Sequence, residues 1–99
     1  MPERRVIIGS KVGLHARPAS LFVQAATAAP VAVTIAKDGG DPVNAKSILS
    51  VLALDARGGE EVVLAAEGDG ADAALDDLVI VLETDHDTPA EGGRDTAEV

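Results

Sequence analysis

One histidine lies in a stretch that could bind and transfer an anion. Residues 13–20, GLHARPAS, lead from a glycine into a helix-like pattern, and His15 falls at the predicted start of that helix. The first N–H groups of a helix have no intrahelical partner and, together with the helix dipole, favour an anion such as phosphate. Arg17 adds a planar, permanently charged group that can pair with phosphate oxygens. The alternative is that His15 is a helix cap or an ordinary surface histidine.

Competing kinds of active site lack the residues that they need. A serine hydrolase requires an orienting carboxylate and an oxyanion hole besides Ser10 or Ser20, and the chain contains no G-x-S-x-G motif. Gly9 and Gly13 are not followed by the Gly-Lys-Ser/Thr of a P-loop. His15 has no acidic neighbour in its loop, so we predict no metal site. Paired catalytic carboxylates stay open as an alternative, but so small a domain with no evident cleft makes a poor enzyme. The sequence therefore favours a small protein that presents one reactive group to other molecules.

The composition limits the fold and the partners. With 99 residues, of which 46% are hydrophobic, the chain can form one small domain around a single core. Phe22 is the only aromatic residue, which argues against stacking on bases or sugars. The absence of cysteine fits a reducing compartment. There is no secretory signal and no apolar run near the roughly 18 residues of a membrane span. We therefore expect a cytoplasmic protein without membrane insertion.

The charge is distributed unevenly along the chain. The net charge of −9 makes nucleic acid an unexpected partner. Residues 1–58 hold seven basic and four acidic side chains, a net charge of +3, whereas residues 59–99 hold one basic and thirteen acidic side chains, a net charge of −12. The segment around His15 is thus locally positive and favours a negatively charged partner surface. An acidic region that serves only solubility is the simpler alternative.

Apolar periodicity predicts the element order βαββαβα. The strands are apolar on one face only, so we predict an α+β open-faced sandwich, with a four-stranded, mainly antiparallel sheet and three helices on one face. Ser47 can cap the second helix, and Asp69 the third, with Asp72 at its N3 position. The predicted strands cover residues 4–8, 31–36, 42–44 and 60–67, and the predicted helices follow His15, Ser47 and Asp69.

Two regions stand out from this pattern. The second helix, residues 48–54, is apolar on more than one side, so some of Ile48, Leu49 and Leu52 should be exposed and form a docking surface. A more deeply buried helix is the alternative. Residues 85–99 lose all apolar periodicity and are predicted to be a flexible acidic tail that follows a domain of residues 1–84. His86, within this tail, is assigned no role.

Two separate motifs resemble those of one protein family. GLHARPA at residues 13–19 and NAKSIL at residues 44–49 are similar to the HPr family, the histidine-containing phosphocarriers of the bacterial phosphoenolpyruvate-dependent sugar phosphotransferase system. The resemblance extends over residues 1–84. It implies that His15 accepts a phosphoryl group on Nδ1 from phosphorylated enzyme I and passes it to IIA domains of sugar permeases. It also implies a carrier in a relay rather than a stand-alone enzyme, with no metal or cofactor on this chain.

The resemblance assigns further residues. Ser47 matches the serine that a dedicated kinase phosphorylates in many relatives, which makes the carrier a co-effector of a transcriptional regulator. A plain helix cap is the alternative for Ser47. We expect a monomer, because the apolar patch is small. Docking to enzyme I and permease domains is implied for Arg17, Ser20, Leu21, Gln24, Ile48, Leu49 and Leu52.

This sequence departs from the family at Val12, where relatives often carry a small polar residue, and at Asp55, where glycine is usual. Its acidic tail is also longer than typical. A purely regulatory interaction protein acting through Ser47 is the second hypothesis, although such relatives have lost the histidine that this chain keeps at position 15. A small ferredoxin-like ligand-binding domain is the third, and the HARP motif argues against it.

Overall fold

An antiparallel sheet forms the base of the protein. The computed structural model describes residues 2–9, 13–14 and 16–84, so His15, Val12 and residues 85–99 lie outside the described part. The strand order is β1-β4-β2-β3, with every neighbouring pair antiparallel, which confirms the predicted open-faced α+β sandwich. The elements are β1 (Glu3–Ile7), α1 (Ala16–Ala28), β2 (Val33–Lys37), β3 (Val43–Asn44), α2 (Ile48–Ala53), β4 (Glu61–Ala66) and α3 (Ala71–Glu83).

Strand β4 is central because it pairs with both β1 and β2. Val6 lies opposite Val62, and Leu64 lies opposite Ile35, and all four side chains are buried on the same face. Alternate residues such as Arg5 point to the open face, as period-two alternation requires. The predicted edge position of the short third strand is confirmed, since β3 pairs only with β2.

The three helices cover the apolar face of the sheet. Phe22 on α1 is fully buried, and α2 contributes Val51 and α3 contributes Leu75, Leu78 and Leu82 to the same cluster. Small residues allow close helix packing, because Ala19 and Ala26 of α1 are also fully buried. The core therefore consists of aliphatic side chains around a single aromatic ring.

The start of α3 corrects the predicted cap. The N-cap residue is Gly70 rather than Asp69, and it makes no side-chain cap hydrogen bond. The chain enters this helix through Gly68 and Gly70, both at positive φ, a region that glycine adopts without a steric penalty. This entry moves the helix start beyond Asp69, so the predicted capping box with Asp72 does not form. Asp72 still lies in the first turn, where a negative charge suits the helix dipole.

Some strand limits also differ by one or two residues from those predicted. β1 ends at Ile7, and β2 begins at Val33 rather than at Val31. Ile8 is nevertheless buried, as its apolar character predicted. Its backbone continues the pairing, because Ile8 N–H donates to the Glu60 carbonyl at 2.9 Å.

We expect Phe22→Ala to lower the free energy of unfolding by about 3–5 kcal/mol, because it removes the largest buried side chain and leaves a cavity. Phe22→Leu is the matched control and should cost no more than about 1.5 kcal/mol. Urea unfolding followed by far-UV circular dichroism measures both, since the chain has no Trp or Tyr for fluorescence. A loss below about 1 kcal/mol in Phe22→Ala would contradict the central position of the ring.

Candidate functional site

The first turn of α1 carries one arginine, Arg17. Arg17 is exposed, while the adjacent Pro18 and Ala19 are buried and hold the helix start against the core. Within the described residues, Arg4, Arg5 and Arg57 each pair with a carboxylate, and Arg17 pairs with none. No carboxylate among these residues therefore competes with an external anion for the guanidinium of Arg17.

The chain just before His15 is held by one close contact. Leu14 is buried, and its N–H donates to the Ala56 carbonyl at 2.8 Å. Gly13 has a φ of +76°, and a Cβ at this position would collide with the Ala56 carbonyl. Only glycine satisfies both conditions, which explains why a glycine leads the HARP motif.

The other end of this loop is also anchored. Gly9 N–H donates to the Leu82 carbonyl at 2.9 Å, and a Cβ on Gly9 would collide with the Glu83 carbonyl. Gly59 N–H donates to the Ile8 carbonyl at 3.0 Å. The described residues on either side of positions 10–12 are therefore held at fixed points, Gly9 against α3 and Leu14 against the Ala56 carbonyl.

The second helix presents apolar side chains to solvent, as predicted. Leu49 is 77% exposed and Ile48 is 39% exposed, whereas Leu52 is half-buried. A helix of six residues has one inward face, and Val51 occupies it. The predicted cap is confirmed, because the Ser47 side chain accepts a hydrogen bond from Ser50 N–H at 3.3 Å.

The predicted docking residues of α1 lie on a helix that packs beside α2. Ser20 and Leu21 are half-buried and Gln24 is exposed, and Gln24 Nε2 donates to Ser20 Oγ at 3.2 Å. The structure thus places the predicted docking residues of α1 and those of α2 on neighbouring helices.

A lysine joins the far end of α1 to the start of α2. Lys46 Nζ donates to the Ala29 carbonyl at 3.1 Å and so satisfies a carbonyl just beyond the last turn of α1. The sequence does not predict this contact, because nothing in the apolar pattern places position 46 near position 29.

The residue that replaces the usual glycine has the backbone conformation that glycine favours. Asp55, which follows α2, has a φ of +53°. Asp adopts this left-handed region more readily than most residues with a Cβ, but still at a steric cost. Its carboxylate Oδ2 lies 3.2 Å from Arg57 Nη2, which places a negative charge beside the loop that holds Leu14.

The open face of the sheet has a shallow hollow of about 330 Å³. Arg5 lines it and already pairs with Asp38 and Glu61. The hydrogen bond to Asp38 and the negative charge of Glu61 raise the pKa of Arg5 above its ordinary value.

The described residues contain no group of three potential metal ligands. Within the same part of the chain, no helix combines the length and apolar character needed to cross a membrane.

The fold and this site define a class of small α+β protein in which a helix that starts with an exposed arginine packs beside a helix with exposed apolar side chains. Comparison with known proteins agrees. The family model for the PTS HPr component phosphorylation site matches residues 2–84. The chain belongs to the HPr family of phosphocarrier proteins.

Individual relatives support the same assignment. Phosphocarrier protein HPr of Streptomyces coelicolor is 64% identical over 78 residues, covering 79% of this chain and 84% of that protein. HPr-like protein Crh of Bacillus subtilis is 41% identical and covers 84% of this chain and 96% of that protein. The crystal structure of HPr-C-His from Thermoanaerobacter tengcongensis superposes with a TM-score of 0.79 at 43% identity, covering 84% of this chain and 92% of that one.

We expect Asp55→Gly to raise the free energy of unfolding by about 0.5–1 kcal/mol, because relief of the left-handed strain outweighs the added flexibility of glycine. Asp41→Gly is the control, since Asp41 is an exposed loop residue outside the positive-φ region. It should be neutral or destabilising. Asp55→Asn removes the charge and keeps tolerance of the left-handed region, so it separates electrostatics from backbone strain. Equal effects of both glycine substitutions in urea unfolding would contradict the explanation.

Proposed function

We propose that this protein carries a phosphoryl group on His15, received from phosphorylated enzyme I and donated to IIA domains of sugar permeases. The proposal rests on family membership and on one observation of the structure. The sequence around His15 continues directly into a helix whose first turn holds Arg17, and this side chain has no ion-pair partner within the described residues. An anion that arrives there meets a guanidinium that pairs with no carboxylate of the described residues.

The chemistry of transfer needs a neutral imidazole. A histidine with an ordinary pKa of about 6.5 is largely neutral at pH 7, so Nδ1 keeps a lone pair. That lone pair attacks phosphorus, and the bond from phosphorus to the donor breaks with its electron pair returning to the donor. The reverse sequence of bonds passes the group to the IIA domain. Only the PO₃ group is transferred in each step, so the carrier is regenerated unchanged.

Stabilisation of the phosphorylated form must be moderate. The Arg17 guanidinium and the backbone N–H groups of Ala16 and Arg17, which precede the first intrahelical hydrogen bond, are donors that suit phosphate oxygens, while Pro18 has no N–H to offer. A helix N-terminus contributes about 0.3–1 kcal/mol for a negative charge. A much stronger site would hold the phosphoryl group and slow its donation.

Partner docking is proposed for the exposed parts of α1 and α2. Leu49 and Ile48 supply apolar area, and Arg17 and Gln24 supply polar contacts. The carrier works as a cytoplasmic monomer in this proposal, with residues 1–84 as its domain.

Regulatory phosphorylation at Ser47 is the second candidate function. Ser47 Oγ already serves as the acceptor that caps α2, and this contact supports the structural role. A phosphate there would still suit the helix N-terminus and would add negative charge beside Ile48, which would weaken binding of an acidic donor surface. A serine kinase and a transcriptional regulator are the partners of this candidate.

We expect incubation with phosphoenolpyruvate, Mg²⁺ and a cognate enzyme I to give an acid-labile phosphate that is absent in His15→Ala. Arg17→Ala should lower the rate of labelling by about 10–100-fold, because it removes the charge that faces the incoming anion. Arg5→Ala is the matched control, since Arg5 is exposed but lies on the open face of the sheet, and it should leave the rate unchanged.

Two results of this experiment would reject the carrier function. The first is no labelling of the wild-type protein by its enzyme I. The second is equal labelling of wild type and His15→Ala. Acid-stable label from ATP and a cell extract, lost in Ser47→Ala, would support the regulatory candidate.

We expect Leu49→Asp to raise the KM for enzyme I-dependent phosphorylation about tenfold, because a charge replaces an apolar contact in the docking surface. Ile80→Asp is the control, since Ile80 is also strongly exposed but lies on α3. Its KM should equal that of wild type. A similar increase in both variants would indicate a general effect of the added charge and would contradict docking through α2.

A further inference from the structure

One peptide unit connects a carboxylate to the chain beside His15. The carbonyl of Ala56 accepts from Leu14 N–H at 2.8 Å. The N–H of the same peptide unit belongs to Arg57, and it donates to Glu60 Oε1 at 2.7 Å. Because a peptide unit is planar and rigid, a group that fixes its N–H also fixes the direction of its carbonyl. Glu60 therefore controls the acceptor on which Leu14 depends.

The geometry around this peptide unit leaves little freedom. Ala56 is fully buried, and Gly13 packs so closely that a Cβ would collide with the Ala56 carbonyl. The turn is closed a second time by Glu60 N–H, which donates to the Arg57 carbonyl at 3.0 Å. A small rotation of the peptide unit would press the carbonyl into Gly13 or withdraw it from Leu14.

The carboxylate of Glu60 also lies near a lysine. Lys37 Nζ lies 3.7 Å from Glu60 Oε1, and the side chain of Glu60 is 40% exposed. A hydrogen bond from an N–H to a carboxylate is stronger than one to a neutral acceptor, and it polarises the peptide unit so that the carbonyl accepts more strongly. Glu60 thus strengthens the Leu14 contact as well as orienting it.

We infer that Glu60 is a positioning residue for phosphoryl transfer, acting through the peptide unit between Ala56 and Arg57 on Leu14, the residue that precedes His15. This inference rests on the proposed function. It requires no contact between Glu60 and phosphate. Loss of the Glu60 acceptor should leave the docking helices unchanged and misplace the backbone that carries the reactive residue, so kcat should fall and KM for the carrier should not rise.

The test compares the full-length wild type with Glu60→Ala, Glu60→Gln and Glu61→Ala. Glu60→Gln keeps an oxygen acceptor and should restore most of the function. Glu61→Ala removes the same charge one residue away, where the side chain pairs with Arg5 on the open face. Initial rates against carrier concentration, with enzyme I as the donor, give kcat and KM separately.

Glu60→Ala should lower kcat about tenfold with KM within about twofold of wild type, since small displacements near a reacting group are costly. Its Leu14 amide should exchange hydrogen about tenfold faster relative to the Ala45 amide, which bonds to the distant Val33 carbonyl. Glu61→Ala should match wild type in both measurements. If Glu60→Ala does not fold, Glu60→Asp replaces it, since the shorter side chain keeps the charge but draws back the acceptor.

An unchanged kcat in Glu60→Ala, or an equal loss in Glu61→Ala, overturns the inference while the carrier function stands. A kcat loss without faster Leu14 exchange also overturns it, because the effect then bypasses this peptide unit. A wild type that accepts no phosphoryl group overturns the proposed function and this inference together.

Discussion

Burial of a single face of one sheet is the constraint on which the rest of the structure depends. The chain has one aromatic side chain, so its core must be closed by aliphatic residues packed from both sides, with Phe22 above and Leu64 and Val62 below. This packing requires all three helices on the same face. The chain must then pass from the sheet layer to the helix layer between β1 and α1, and the described residues Gly9, Gly13 and Leu14 belong to this crossing.

The crossing is fixed by backbone contacts rather than by side-chain burial alone. Leu14 bonds to Ala56, and Gly9 bonds to Leu82, so the turn after α2 and the end of α3 both hold it. The turn after α2 continues directly from the helix with the exposed Leu49. The proposed docking surface and the proposed reactive loop therefore share one structural support, and strain in that turn, such as the left-handed Asp55, lies between them.

Three of the four arginines that the structure describes pair with carboxylates. Arg4 bonds to Asp72 and Asp76, which raises the pKa of its guanidinium, and Arg57 bonds to Asp55. Surface pairs of this kind contribute little to stability. Among the described arginines, Arg17 is exposed and has no carboxylate partner. It lies at the start of α1, and a helix N-terminus favours an anion.

The sequence by itself determined the element order, the sheet type, the buried faces, the Ser47 cap and the exposed side of α2, because period-two and helical spacing of apolar residues report directly which face meets the core. It also identified the family through two local motifs. It failed at the start of α3, where left-handed glycines override the capping pattern of Asp69. Only the tertiary structure decided that the Ala56 carbonyl supports Leu14, since a hydrogen bond between residues far apart in the chain leaves no periodic signal. It also decided that Arg57 N–H donates to the Glu60 carboxylate, because the spacing of apolar residues does not report a side-chain contact within a turn.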